Sequence, residues 1–171
     1  MKAFLEMPVC HFCLKSGILC RQCEDKLSRG EVSQLDLEIG KELLSLETRF
    51  LELKDCVFHK AVTISNLLII LVSCKRKMPR ELWRKLSKII SEQRKVNVRI
   101  VEKTSSLKAL LNQVISPAKV VSINTIWLPD GTWESSVKIA NSDAKKLPAA
   151  PHTLEALIHS LVGENVRFTF D

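Results

Sequence analysis

The sequence contains no apolar run long enough to cross a membrane. Its longest candidate, NLLIILVSC at 66–74, is less than half of the ~20 residues that a transmembrane helix needs, and three cations follow it. The N-terminal MKAFLEMPVC lacks the sustained apolar region and the small-residue cleavage site of a secretory signal. We therefore expect a soluble, cytoplasmic protein with no membrane partner.

Motifs of the common enzyme classes are also missing. The chain has five glycines, and they form no phosphate-binding loop. It has no nucleophile elbow, no HExxH motif and no pair of acidic residues whose spacing indicates an acid–base site. These absences predict that the protein is not an enzyme and has no small-molecule substrate.

The chain does contain a strong local excess of positive charge. Residues 1–74 hold nine Lys/Arg and ten Asp/Glu, residues 75–103 hold eleven and three, and residues 104–171 hold six and six. The middle block thus has a net charge of +8, more than the +7 of the whole chain. This concentration favours a surface that meets phosphates or another acidic partner. The alternative is a helix whose charges are simply solvated.

Four of the six cysteines form two CxxC pairs, in CHFCLKSGILCRQC. This spacing is typical of a structural zinc site, where four thiolates surround one Zn²⁺ ion at ~2.3 Å and leave no position for water. The predicted ligands are Cys10, Cys13, Cys20 and Cys23. Two disulfides or a redox-active CxxC are alternatives that fit the spacing less well. We expect His11 to be exposed or a hydrogen-bond partner, and Cys56 and Cys74 to be buried, inert thiols.

The rest of the chain has the same order of elements twice. Ser33 as N-cap and Asp36 at the capping-box position predict a helix to about residue 53. The strands CVFHKAVTIS and NLLIILVSC, a helical region from Pro79 and the strand VNVRIVE follow. The second half has SSLKALLNQVIS, strands AKVVSINTIWL and WESSVKIAN, helical SDAKK and HTLEALIHSLV, and strand NVRFTF. Both halves predict helix, strand, strand, helix, helix, strand.

This element order resembles that of type II K-homology (KH) domains. The opening CHFCLKSGILCRQCEDKLSRGEVSQLDLEIGKEL, with DAKKLP and VISPAKVVSINTIWLPDG, resembles archaeal NusA-like proteins that carry a zinc module before two KH domains. The resemblance covers nearly the whole chain and implies an α+β fold. It implies a zinc-binding module at 1–32 and two KH-like domains, αββααβ each, at 33–103 and 104–171. It also implies an RNA-binding transcription elongation or termination factor that docks on RNA polymerase or a similar large assembly.

The GxxG loop by which KH domains hold about four nucleotides is missing. Arg84 and Ser87 stand where its glycines would be, so side chains block close backbone approach, or the region simply continues as helix. We expect salt-sensitive contact with RNA phosphates and little reading of sequence. The candidate phosphate-binding residues are Lys75, Arg76, Lys77, Arg80, Arg84, Lys85 and Lys88. The alternative function is an adaptor of RNA polymerase or the ribosome that keeps the KH fold without binding RNA.

Three further groups of side chains have competing interpretations. Trp83 could stack on a base, but its helical spacing with neighbouring leucines favours a core position. Arg99 and Lys103 are weaker phosphate-binding candidates, because they lie on or after the last strand of the first unit. Trp127 and Trp133 flank the PDG turn and are predicted to contact each other across a hairpin.

Overall fold

The computed structural model describes residues 4–171. Its N-terminal part has two short helices, α1 (His11–Ser16) and α2 (Arg21–Ser28), each beginning directly after a cysteine. Gly17 ends α1 at φ +77°, a left-handed conformation that glycine adopts without strain. Buried side chains form a small core: Val9, Cys13, Leu14, Cys23 and Val32. A core of this size usually needs a metal or a cross-link to be stable.

Helix α3 (Gln34–Leu46) begins as predicted. Ser33 Oγ accepts a hydrogen bond from the Asp36 N–H, and the Asp36 carboxylate accepts one from the Ser33 N–H, which completes the capping box. The other carboxylate oxygen of Asp36 accepts from the Ala61 N–H at 2.7 Å and so joins the helix to the first strand. The helix ends at Leu46, before the predicted residue 53, and a separate 3₁₀ turn (Leu51–Asp55) places Leu53 in the same core.

The first sheet consists of β1 (Cys56–Ile64), β2 (Leu67–Cys74) and β3 (Asn97–Glu102). Strands β1 and β2 form the predicted hairpin, with its turn at 65–66, and β3 lies parallel to β2. Residues 67–72 are all buried, and they point to both faces of the sheet. The continuous apolar run therefore belongs to a central strand, as predicted.

Helix α4 (Arg80–Arg94) is continuous and begins directly after Pro79. The repeated element order predicted two helices here, and the structure corrects that prediction. The stretch RKLS at 84–87 has no glycine that would end the helix. The buried side chains of α4 lie at helical spacing against the first sheet, so the helix gains by continuing. They are Leu82, Leu86 and Ile90.

The second unit repeats the strand pattern of the first. Its elements are α5 (Leu107–Ile115), β4 (Val120–Trp127), β5 (Trp133–Ile139), a 3₁₀ turn (Asn141–Lys146), α6 (Pro151–Val162) and β6 (Val166–Phe170). Strands β4 and β5 form a hairpin, and β6 lies parallel to β5. The element order matches the prediction for this half. Trp127 and Trp133 are direct cross-strand partners, as predicted.

Helices α5 and α6 pack against both sheets. One core contains side chains of these helices, of β5 and of one face of β2, including Ile69 and Val137. The opposite face of β2, with Ile70, packs on α3 and α4. Lys60 Nζ on β1 also donates to the Ser160 carbonyl oxygen of α6 at 2.6 Å. The two units therefore share one apolar core.

Cys56 and Cys74 form a disulfide, which corrects the expectation of two free thiols. They are direct cross-strand partners at the outer ends of β1 and β2, with their Cα atoms 4.0 Å apart. Pairing at this position brings the two sulfurs together. The register of the hairpin, and not the spacing of the cysteines along the chain, decides their chemistry.

The fold is α+β, with a cysteine cluster near the N-terminus and two three-stranded sheets. The domain boundaries at 32/33 and 103/104 stay predictions. None of the helices within residues 4–171 is both long and apolar enough to span a lipid bilayer.

Candidate metal centre and basic cleft

The four CxxC cysteines lie together. Cys10 and Cys20 immediately precede α1 and α2, while Cys13 and Cys23 lie in the first turns of these helices. All four sulfur atoms are within 4.8 Å of one another. The two CxxC segments have similar backbone conformations, since both leading cysteines are extended. The cluster could hold one metal ion.

Two sulfur separations and the hydrogen bonds fit a four-thiolate site, whereas the Cys10 and Cys13 sulfurs, 2.9 Å apart, lie closer than two ligands of one tetrahedral ion would. The Cys10 sulfur is 3.8 Å from that of Cys23 and 4.0 Å from that of Cys20. A tetrahedral ion with metal–sulfur bonds of ~2.3 Å requires sulfur separations of about 3.8 Å. The Cys20 N–H donates to Cys13 Sγ at 3.1 Å, and the Cys10 N–H donates to Cys23 Sγ at 3.5 Å. These bonds connect the two segments and supply the outer-shell donors that thiolate ligands use.

The thiols of the cluster differ in pKa. The hydrogen bond with the Cys10 side chain raises the pKa of Cys13 to about 12. A backbone hydrogen bond from Cys23 lowers the pKa of Cys20 to about 7. A metal ion would hold all four as thiolates, so its binding would release protons. His11 does not belong to the cluster, and its Nε2 donates to the Leu5 carbonyl oxygen at 2.7 Å.

The predicted phosphate-binding residues fall into two groups. Lys75, Arg76 and Lys77 are exposed in the loop between β2 and α4, where Arg76 Nε pairs with the Asp55 carboxylate at 3.2 Å. The other four lie on α4. All four are exposed; Arg80, Arg84 and Lys88 line a groove, whereas Lys85 lies outside its lining. The structure therefore separates Lys85 from the cations with which the sequence grouped it.

The groove runs between α4, β3 and α5. It consists of two adjoining cavities of about 740 and 420 Å³, which share Ser87, Val98 and Arg99 in their linings. Helix α5 contributes Asn112 to the larger cavity, and Pro148 before α6 borders the smaller one. Within residues 4–171, no carboxylate lines either cavity. We call this groove the basic cleft.

Arg99, a weaker phosphate-binding candidate of the sequence analysis, lies in the basic cleft. It lies in the shared lining of both cavities and is half-buried. Burial lowers the pKa of its guanidinium. Among the described residues, no carboxylate lies within ion-pair distance of it. Its position on β3 was visible in the sequence, but the cleft exists only because α5 packs beside that strand.

Trp83 borders the basic cleft and also packs on the first core. Its Nε1–H donates to Glu102 Oε1 at 2.8 Å. The Gln113 side chain of α5 bonds both the N–H and the carbonyl oxygen of Glu102, at 2.9 and 3.0 Å. The indole is therefore held between the two units. Trp83 is thus both a partly buried neighbour of the first core and a lining residue of the basic cleft.

Comparisons with known proteins leave the family open. No protein-family model and no curated protein matches the chain. Among solved structures, one described as "Crystal structure of APE1850" is similar over 67% of this chain and 86% of that chain. The TM-score is 0.48 and the sequence identity is 21%. A likeness at this level carries no argument about function.

Proposed function

We propose that this chain is a non-enzymatic RNA-binding factor that holds the RNA backbone in the basic cleft. The convergence of Arg80, Arg84, Lys88 and Arg99 on one concave surface without a carboxylate carries this proposal. Cations grouped on a concave surface attract a polyanion more strongly than the same charges on an open helix face. The observation favours the phosphate-binding interpretation of the charge excess over the solvated one.

The shape of α4 supports contact with RNA through phosphates rather than bases. The helix continues through residues 84–87, so no glycine loop brings the backbone close to a nucleotide. Long cationic side chains provide the contact instead, and such contacts carry little sequence information. Affinity should therefore depend on salt far more than on RNA sequence.

The transcription role is a finer proposal and rests on the sequence resemblance to NusA-like proteins. Each unit has an antiparallel hairpin with a third strand parallel to its second strand, and the second unit has the αββααβ order. This supports two degenerate type II KH domains, the first of which has fused its two central helices. We infer a factor that acts in elongation or termination while docked on RNA polymerase or the ribosome.

A protein-interaction adaptor is the second candidate function. Phe12 and Ile18 on the cysteine module are each 74% exposed, and Trp127 at the tip of the second hairpin is 70% exposed. Exposed apolar groups that join into one patch can mark protein contacts. Weak RNA binding that is independent of salt would favour this candidate.

RNA binding is tested by measuring the affinity for a fluorescent single-stranded RNA across several salt concentrations. The parent should bind less tightly as salt rises. Arg84→Gln should weaken binding and reduce the slope of log K against log salt by about 1, because one phosphate contact is lost. The matched control, Lys85→Gln on the same helix, should change the slope less. Equal effects of the two variants, or salt-independent binding, would contradict the proposal.

We further propose that the cysteine cluster holds one structural zinc ion. Four thiols within 4.8 Å of one another can supply a tetrahedral ligand set, and soft thiolate ligands favour zinc over hard ions such as Mg²⁺ and Ca²⁺. Metal analysis of protein purified without added zinc should find about one Zn²⁺ per chain. Cys20→Ser should lower this content, whereas Cys74→Ser should leave it unchanged. Intact thiols without metal in the parent protein would refute the zinc site.

A further inference from the structure

We propose that the basic cleft takes a single strand of nucleic acid, with one unstacked base on the Trp83 indole and an adjacent phosphate at Arg99. The inference rests on the proposed RNA-binding function and adds which residues of the cleft hold the base and the phosphate of a bound strand. The binding surface was predicted from seven Lys and Arg residues between positions 75 and 88. Neither Trp83 nor Arg99 is among them.

The indole of Trp83 is prepared for stacking. Its Nε1–H donates to the Glu102 carboxylate, and the Gln113 side chain holds the backbone N–H and carbonyl oxygen of Glu102. The ring therefore loses little conformational freedom when a base contacts it. Aromatic platforms beside a positively charged groove are the common means of binding single strands, since every base has a face that can stack.

Arg99 provides the matching anion site. Its guanidinium is half-buried in the lining shared by both cavities, and the described residues offer it no carboxylate. A partly desolvated cation gains more from an anionic ligand than an exposed one does. A guanidinium can also bind two phosphate oxygens at once. Arg80 and Arg84 border the same larger cavity as Trp83, so adjacent phosphates have partners as well.

The dimensions of the cleft favour a single strand over a duplex. A cavity of about 740 Å³ lies within the ~300–1,000 Å³ range of pockets that enclose small organic molecules. Unstacked nucleotides of one strand can enter such a space. A duplex keeps its bases stacked inside, so it can reach the exposed cations of α4 but cannot place a base against Trp83.

The second unit supplies polar groups for the edge of a bound base. Asn112 Oδ1 accepts a hydrogen bond from the Val120 N–H at 2.9 Å, so the amide nitrogen of this side chain keeps its donors for a ligand. Ser87 and Ser116 add hydroxyl groups from opposite sides of the cleft. A few adaptable donors of this type would give at most a modest base preference.

The experiment uses Trp83 as its own reporter. Trp127 and Trp133 are 70% and 43% exposed, so phenylalanine can replace both without opening a core. In that background, Trp83 is the remaining tryptophan of the chain. Titration with a single-stranded oligouridylate should quench its fluorescence, and a blunt RNA duplex of equal length should quench it far less. Equal quenching by both RNAs would overturn the preference for a single strand.

Two pairs of variants then test the assigned residues. Arg99→Gln should weaken single-strand binding about tenfold and leave duplex binding unchanged, while Arg99→Lys should retain part of the affinity. Trp83→Leu should cost between about fivefold and a hundredfold, whereas Trp83→Phe keeps an aromatic face and should cost less. The thermal unfolding of each variant is measured alongside, so that a folding defect is recognised.

The outcomes separate this inference from the proposed function. If the parent binds single-stranded RNA but neither Trp83 fluorescence nor the Arg99→Gln affinity changes, the RNA lies on exposed cations and this inference is wrong. The RNA-binding function would then still stand. If the parent binds no RNA at low salt, both proposals fail. Quenching, together with losses in Arg99→Gln and Trp83→Leu, would support both.

Discussion

The two sheets have the same strand pattern but differ in how they are covered. In the first sheet, six consecutive residues of β2 are buried, because helices pack on both of its faces. In the second sheet, buried residues of β5 alternate with half-exposed ones, because helices cover one face only. The open face carries polar side chains such as Ser136 and Lys138.

The spacing of apolar residues along a strand therefore indicates how many faces of the sheet are covered by helices. It does not indicate whether the strand is central in the sheet. The strands β2 and β5 are both central, yet one reads LLIILV and the other alternates as WESSVKI. Helices α5 and α6 provide the cover of the second face of the first sheet as well as of the inner face of the second. The first unit thus depends on the second, and their contact creates the basic cleft.

The largest expected effect on stability comes from truncating a side chain that is buried between the first sheet and the helices packed on it. Ile70 is 0% exposed on β2, and Ile70→Ala should lower the free energy of unfolding by about 2–5 kcal/mol, because the layers cannot close the cavity fully. The matched substitution on the open face is Ile126→Ala, where the isoleucine is 43% exposed. Its cost should be about 0.5 kcal/mol or less.

Urea unfolding of the oxidised protein measures both changes, with the slope m compared to confirm that the same surface is exposed on unfolding. Similar losses for the two isoleucines would contradict the difference in coverage. An unchanged midpoint for Ile70→Ala would mean that the helices on that face do not pack closely.

Local signals in the sequence predicted much of the fold. The capping box of Ser33 and Asp36 marked the start of α3, and the apolar run of β2 marked a central strand. The CxxC spacing identified four sulfurs that do lie together, since such turns are local structures. Each of these features depends on residues that are close in the chain.

The features that the sequence did not reveal depend on distant contacts. The disulfide of Cys56 and Cys74 follows from the register of a hairpin, and register depends on how the faces of both strands are buried. The continuous α4 differs from the two helices that the repeated order predicted, because the stripe buried under it favours an unbroken helix. Arg99 gained its place in the cleft only through the packing of α5.

The smallest expected effect is a pH dependence in the covered sheet. His59 lies on β1, where its Nε2 is 2.7 Å from Ser73 Oγ. Burial lowers the pKa of this imidazole, and the nearby Lys103 lowers it further. The unfolded chain has a histidine pKa of ~6.5, so below that pH it binds a proton that the folded protein takes up only at lower pH. Stability should therefore fall as pH decreases through this interval.

The substitution His59→Gln tests this dependence, because glutamine can keep a hydrogen bond to Ser73 but does not titrate. The free energy of unfolding is measured by urea at several pH values between about 7.5 and 5, a range that covers the histidine titration. Parent and variant should be similar at the upper end, and the parent should lose more stability at the lower end. Equal losses would show that His59 is as solvated in the folded sheet as in the unfolded chain. The helices that cover both faces of the first sheet would then not shield this imidazole from water.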